Sequence, residues 1–232
     1  MALKARIENG IVYSPYPSEP VPEMTLYQVV KQCLEQYGCR TALVWDDEDI
    51  TFAELLKMCQ RYAAGFQSHG VKKGEKVLVH LDTSLENIIA MYSVIFAGGV
   101  AVVSDLILSN GEEKICQGRN NAVEVLCGKA DARAFFRVYP ALCLRRVSGE
   151  PDVMWQLIAR VQRFQGYFSV GTAPGFVSVS DFKKLNEDAF QELPVADVKK
   201  EAVALLYTSG TTGSPKAAEH THYSIVAFLT RP

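Results

Sequence analysis

The residues able to do chemistry are concentrated in one run, Leu205-Leu-Tyr-Thr-Ser-Gly-Thr-Thr-Gly-Ser-Pro-Lys216. Glycines let a backbone bend so that successive N–H groups converge on an anion. The hydroxyls of Thr208, Ser209, Thr211 and Thr212 can hydrogen-bond phosphate oxygens or a metal ion, and Lys216 adds a positive charge at the rim. This is the wiring of a triphosphate-binding loop. It is not a Walker A loop, which needs Gly-Lys followed by Ser or Thr, whereas here Pro215 precedes the lysine and Ala217 follows it. A polar linker is the plain alternative. Linkers rarely sit directly behind a buried apolar strand or end in Pro-Lys, so the loop reading stands.

Other reactive side chains are scattered. His69 and His80 have no second His or Cys at ligand spacing and read as surface or satisfied core histidines. Cys33, Cys39, Cys59, Cys116, Cys127 and Cys143 form no CxxC pair and no zinc pattern, so all six read as reduced, small buried hydrophobes. Arg145-Arg146 and Lys199-Lys200 read as solvated surface charge, and no acidic pair can be placed as catalytic from spacing alone.

The elements that must position the loop are marked by local signals. Pro15, Pro17, Pro20 and Pro22 make 1–23 an extended lead-in. Capping boxes at Thr25–Gln28 and Thr51–Glu54 predict helices to about Tyr37 and Ser68, and a third at Thr83–Glu86 opens a helix over Ile88–Ala97. Strands are expected at Thr41–Trp45, Val77–Leu81, Val100–Ser104, Val123–Leu126 and Ala202–Tyr207, with an acidic turn at Asp46–Asp49. Strand, helix, strand over 77–104 is a βαβ unit, which implies a parallel sheet with helices on its faces. A helix start at Asn110–Glu113, short helices at Ala130–Val138 and Val153–Phe164 and a strand at Cys143–Ser148 are weaker readings, and 171–200 reads as loop.

Composition bounds the class. The 232 residues are 48% hydrophobic and 22% charged, which fits a globular chain and not a disordered one. A formal charge of −2 offers no basic surface for nucleic acid. The apolar stretch Ile88–Val103 has 16 residues and is split by Gly98-Gly99, too short for a membrane span and suited to a buried helix, glycine cap and strand. The first residues lack the apolar run of a signal peptide, which points to an intracellular setting, cytoplasm or peroxisome.

Tyr207–Lys216 resembles the signature loop of the adenylate-forming enzymes: acyl-CoA synthetases, 4-coumarate–CoA ligases, beetle luciferases and peptide-synthetase adenylation domains. Thr51-Phe-Ala-Glu-Leu55, Gly74-Glu-Lys-Val77 and Ala97-Gly-Gly-Val100 fit the same family in order, and Phe168–Phe176 is similar to the luciferase-like and coumarate-ligase-like branch. The resemblance implies an α/β fold, the N-terminal portion of the adenylate-forming large domain, with a mixed or parallel sheet flanked by helices. Its divisions would be 1–23, an α/β subdomain over 24–170, and 171–232, where a second, incomplete subdomain starts at Ala202–Tyr207 with its partner strands missing. An exposed sheet edge and apolar face near 200–232 would follow.

It also implies a two-step reaction. A carboxylate attacks the α-phosphorus of ATP to give acyl-adenylate and pyrophosphate, and a thiol, usually coenzyme A, then takes the acyl group. Carried over by position, Thr208, Ser209, Gly210, Thr211, Thr212 and Lys216 bind ATP phosphates, Gly213 lets the loop bend, Thr211 faces Mg²⁺ and Lys216 is the catalytic cation. Thr221-His222 matches a Thr-His pair where a helix begins, so Thr221 is expected as an N-cap and His222 as a packing residue or a pocket residue; His220 reads as incidental. Ala217-Ala218 departs from the family's Gly after Pro-Lys, which would strain Ala217 if that position needs an unusual backbone angle. The family's later Tyr-Gly-x-Thr-Glu motif, ribose-binding Asp and C-terminal-domain lysine do not occur in this sequence. The expectation is therefore an N-terminal fragment of a carboxylate–CoA ligase that is inactive alone. The alternative is a non-catalytic short product that keeps a nucleotide-contacting loop or pairs with a full-length relative.

Overall fold

The computed structural model describes residues 5–14, 16, 20–46, 48–80, 84–103, 124–127, 166–172, 176–208 and 216–230. The lead-in is not wholly extended: β1 (Arg6–Glu8) and β2 (Ile11–Tyr13) form an antiparallel hairpin through Asn9-Gly10, both at positive φ. Helix α1 (Leu26–Tyr37) follows, and Thr25 caps it with the reciprocal Gln28 bonds of a capping box. The acidic run is not all turn: Glu48 and Asp49 belong to β4 (Glu48–Thr51), which pairs antiparallel with β3 (Thr41–Trp45). Thr51 ends β4 and caps α2 (Phe52–Ser68), again with both bonds of the box.

The βαβ unit forms as expected from β5 (Lys76–His80), α3 (Leu85–Phe96) and β6 (Val100–Val103), with β5 and β6 in parallel register from Lys76 opposite Val100. Its cap lies one residue later than the sequence suggests: the Ser84 side chain accepts the Asn87 amide. Gly98 at φ +98° turns the chain from α3 into β6, and an added Cβ there would lie 2.6 Å from Leu193 Cδ1. Strand β7 (Glu124–Cys127) matches its sequence signal; β8 (Gly166–Ser169) and β9 (Val177–Ser178) lacked one. The expectations at 110–113, 130–138, 143–148 and 153–164 lie outside the described residues.

Strands β10 (Ala202–Thr208) and β11 (Lys216–Thr221) and helix α4 (His222–Leu229) complete the chain. The seven-stranded sheet has the order β11-β10-β6-β5-β7-β8-β9, parallel throughout except for β11. This corrects one expectation. Strand β10 does not lack partners, because β6 pairs with it on one side and β11 on the other. The apolar exposure expected near the chain's end is present at Leu206, Phe228 and Leu229.

Val77 and Val79 of β5, Ala101 of β6, Phe168 of β8 and Val203 of β10 share one core with the apolar stripes of α1, α2 and α3. Leu78, Val100 and Val102 point the other way and are buried too, so these strands read as continuous apolar runs rather than alternating ones. Four strands separate β9 from β10 in the sheet, and residues 179–201 make that crossing as a strap over the helical layer. Phe182 packs edge-on to Phe66 and Tyr62, with ring centroids 5.5 and 6.1 Å away. Arg61 pairs with Glu187 at 2.8 Å, Lys183 with Glu86 at 3.1 Å, and Gln67 exchanges two hydrogen bonds with the backbone of Gln191. Among the described residues no helix is long and apolar enough to cross a membrane.

Candidate phosphate-binding site

The described parts of the candidate loop are its two ends. Thr208 is the last residue of β10 and Lys216 the first of β11, and they stand opposite each other in antiparallel register. Residues 209–215 are therefore closed at their base by a strand pair. Ser209, Gly210, Thr211, Thr212 and Gly213 lie outside the described residues. Closure comes at the carboxyl end of β10, on the edge of the sheet where the parallel strands β5 to β9 also end. In open α/β sheets that edge is where ligands bind.

Register is continuous from Ala204 opposite His220 through Thr208 opposite Lys216; the one shift falls between Ala202 and Ala204. Ala217 pairs with Tyr207 and Ala218 with Leu206 inside the strand. Positive φ at non-glycine positions is confined, among the described residues, to Asn9 and Asp46. Ala217 is thus ordinary strand backbone, and the strain expected there does not arise.

The far end of β11 is anchored. Thr221 caps α4 as expected, its hydroxyl accepting the Ser224 amide at 3.2 Å while the Ser224 hydroxyl accepts the Thr221 amide at 2.9 Å. His222, half-buried, has its Nδ1 3.1 Å from the amide of Leu26, the first helical residue of α1. Its own amide donates to the Glu201 carbonyl at 3.2 Å, and the Tyr223 amide donates to the Val198 carbonyl at 2.9 Å. His222 is a packing residue that also carries a specific hydrogen bond.

Beside it, Glu201 is paired with Lys73 at 2.7 Å and accepts the Ala196 amide at 2.6 Å. Partial burial works to raise the Glu201 carboxyl, but Lys73 and the Ala196 and Asp197 amides outweigh it and hold it below the usual carboxylate range. Burial likewise lowers the His222 imidazole; Glu201 opposes that and Lys73 adds to it. No sequence signal marked Lys73 or Glu201, because neither lies in a motif and their pairing joins segments far apart in the chain.

A cavity of about 390 Å³ lies beneath the strap, lined by Lys76, Val100 and Ala202 at the starts of β5, β6 and β10 and by Lys73, Glu201 and His222. These are the amino ends of the strands, so this cavity and the loop occupy opposite edges of the sheet, about 20 Å apart along β10 at the usual rise of a strand. Of the other sequence candidates, His69 is a satisfied surface-proximal histidine, its Nδ1 2.8 Å from the Gly65 carbonyl. Cys59 is buried, but Cys33 and Cys39 are exposed, against the expectation for all six.

A largely parallel sheet packed against helices, with β10 and β11 paired at its carboxyl edge, is an open α/β architecture of the class that binds ligands at that edge. Residues 30–231 match the family model of the AMP-binding enzymes, and the chain belongs to that family. It is 24% identical over 227 residues to a long-chain-fatty-acid–CoA ligase of Bacillus subtilis (strain 168), covering 91% of this chain and 40% of that protein. It is 28% identical over 190 residues to a 3-hydroxybenzoate–CoA/4-hydroxybenzoate–CoA ligase of Thauera aromatica, covering 82% of this chain and 33% of the relative. Among solved structures, a long-chain-fatty-acid–CoA ligase from Archaeoglobus fulgidus superposes with a TM-score of 0.72 at 20% identity, over 97% of this chain and 41% of that one. A luciferase-like enzyme from the nonluminescent mealworm Zophobas morio gives 0.71 at 17% identity, over 89% and 44%. These likenesses support the α/β architecture expected for the adenylate-forming large domain. The chain spans about 40% of the length of the fatty-acid ligases it matches.

Proposed function

We propose that this chain supplies the triphosphate-binding part of an ATP-dependent carboxylate–CoA ligase. In this reading the hydroxyls of Thr208, Ser209, Thr211 and Thr212, the backbone at Gly210 and the Lys216 ammonium take the ATP phosphates, while Gly213 lets the loop bend around them. The carboxylate oxygen bonds to the α-phosphorus, the α–β phosphoanhydride bond breaks, and pyrophosphate leaves. The thiol of coenzyme A then displaces AMP from the acyl-adenylate. Both partners in the first step are anionic, so the protein's task is positioning and charge neutralisation.

The observation that carries the reading is the base of the loop. Strand pairing of Thr208 with Lys216 sets the terminal hydroxyl-bearing and lysine residues opposite one another at the sheet's carboxyl edge. A threonine hydroxyl is a hard oxygen donor of the kind Mg²⁺ accepts while keeping waters and phosphate oxygens around it. Thr211 is the proposed protein ligand, and the cation would offset phosphate charge.

Calorimetric titration of the chain with ATP and Mg²⁺ tests this. Binding is expected, and Lys216→Ala should weaken it about tenfold or more, the loss expected for one charged hydrogen bond. Absence of heat with the native chain, or an unchanged affinity in Lys216→Ala, would overturn the reading. Carboxylate-dependent ATP–pyrophosphate exchange with a panel of fatty and aromatic acids then separates two cases. The chain by itself is expected to bind nucleotide without exchange, and turnover is expected only from a longer polypeptide. If the polypeptide captured from its source has the mass of this chain alone, the non-catalytic nucleotide-contacting reading replaces the ligase one.

A further inference from the structure

We propose that His222 is a positioning residue for the loop between Thr208 and Lys216: as a neutral imidazole it accepts the Leu26 amide, and this pin sets where β11 presents Lys216. The inference rests on the phosphate-binding reading above and adds to it the group that aims the loop.

An α-helix leaves its first amides without intrahelical partners. At the start of α1 the Thr25 hydroxyl takes the Gln28 amide, and the Gln28 side chain takes the Thr25 amide. Neither bond serves the amide of Leu26, a residue with no exposed surface. A buried amide must find its acceptor within the protein, and the one it finds is His222 Nδ1, 3.1 Å away and 196 residues further along the chain.

The chemistry of that bond fixes the state of the ring. Because Leu26 N–H donates, Nδ1 must hold a lone pair, and the proton of the neutral imidazole sits on Nε2. An imidazolium carries hydrogen on both nitrogens and would set one N–H against another. Protonation therefore breaks the pin. Burial holds the imidazole below its ordinary value, which keeps the ring neutral near pH 7. The charged groups around it are of both signs: Glu201, Glu192 and Glu219, and Lys73, Lys76 and Lys200, all lining the cavity that His222 lines.

The mechanical link runs along one strand. Among the described residues β11 is hydrogen-bonded to a neighbouring strand on one side only, with β10. Its Lys216 end opens into the loop, and its Thr221 end passes directly into His222, whose amide the strap holds through the Glu201 carbonyl, while the Val198 carbonyl holds the next amide, that of Tyr223. Pairing is unbroken from His220 to Lys216, and the one shift, next to Thr221, is an unpaired residue of β10, Val203. Strand β11 itself therefore runs without an inserted residue from His222 to the lysine and carries a displacement of the pinned end along it.

The test is ATP–Mg²⁺ affinity of the full chain at pH 7.5 and pH 5.5, with amide hydrogen exchange read at Leu26. His222→Asn places an amide oxygen where Nδ1 stands and does not titrate; His222→Phe keeps the ring's bulk and removes the acceptor. At pH 7.5 His222→Asn should bind ATP as the native chain does, and His222→Phe about tenfold more weakly, the loss one hydrogen bond represents. At pH 5.5 the native chain should lose affinity relative to His222→Asn, and the protection of the Leu26 amide, its exchange corrected for the intrinsic pH dependence, should fall in the native chain but not in His222→Asn. The ratio to His222→Asn removes the titration of ATP itself. Equal pH dependence in the native chain and His222→Asn overturns the proposal, as does full affinity in a folded His222→Phe. If His222→Phe does not fold, the comparison with His222→Asn decides. If the native chain binds no ATP at either pH, it is the phosphate-binding reading that fails, and Leu26 exchange still reports whether the pin exists.

Discussion

Replacing Gly65 by alanine should destabilise the fold, although alanine is the better helix former. Gly65 opens the last turn of α2, where the Phe182 ring of the strap rests against bare backbone. A Cβ there would stand 2.3 Å from Cδ2 and Cγ of Phe182 and 2.7 Å from Cδ1. Carbon atoms settle at about 3.5–4.0 Å, so the ring must retreat by more than about 1 Å. It has nowhere free to go: Phe66, Phe168 and Tyr62 surround it at ring-centroid distances of 5.5, 6.4 and 6.1 Å. Overpacking of this kind costs up to about 3 kcal/mol, and helix propensity returns about 1 kcal/mol, leaving a net loss of about 2 kcal/mol. For a chain of this size that lowers Tm by roughly 4–8 °C.

The assay is urea unfolding followed by circular dichroism, run as a cycle with Phe182→Ala. Removing the ring leaves room for the methyl group, so Gly65→Ala should become stabilising by about 1 kcal/mol in that background. Hydrogen exchange over 179–201 should quicken in Gly65→Ala alone, because the strap is lifted from α2. A stabilised Gly65→Ala in the native background, or the same sign in both backgrounds, would refute the packing argument.

Further outcomes follow from other local features. Thr51→Ala removes the hydroxyl that caps α2 and should cost about 1 kcal/mol by urea unfolding. The Glu54 carboxyl, held below its ordinary value by the Thr51 amide and hydroxyl, should then titrate closer to 4.5 in an NMR pH series. Iodoacetamide followed by peptide mapping should modify Cys33 and Cys39 in the native protein but reach Cys59 only after unfolding, since burial pushes its thiol up to about 12. Stability should fall on acidification in two stages. His222 has a lowered folded value, so the unfolded chain takes the proton more readily, and stability present above its ordinary 6.5 is lost as pH falls through the folded value. Glu187 and Asp197 are likewise held low, Glu187 by backbone and Arg61 hydrogen bonds and Asp197 by Lys200 and the Lys199 amide, so their contribution is lost below the ordinary carboxylate range. A urea midpoint that stays flat from pH 7 to pH 3 would contradict both stages.

What could be read from the order of residues was local. The boxes at Thr25 and Thr51 join side chain to amide three residues apart, so helix starts are written within four residues. The Ile88–Val103 stretch carries its own glycine break, and α3 and β6 fall on either side of it. The hydroxyl-rich loop was legible as chemistry because its residue types and spacing are themselves the signal. Strand β11 was not. Lys-Ala-Ala-Glu-His-Thr has no alternation of apolar and polar residues and no β-branched run, and it is a strand because β10 supplies the partner. The strap was read as loop for the same reason: its order comes from Phe182 on Gly65, Glu187 on Arg61 and Glu201 on Lys73, none of which is a neighbour in sequence.

The amino-acid sequence alone thus indicated the class of the fold, the helix starts at Thr25, Thr51 and Thr221 and the segment proposed to bind phosphate, because each is signalled by residues close together in the chain. The tertiary structure decided how that segment is held. That Lys216 stands opposite Thr208, that β10 lies between β6 and β11, and that His222 satisfies an amide of α1 are outcomes of long-range closure. A partner across a sheet or a helix end is chosen by which groups remain unpaired once the core has collapsed, and no local pattern encodes that choice.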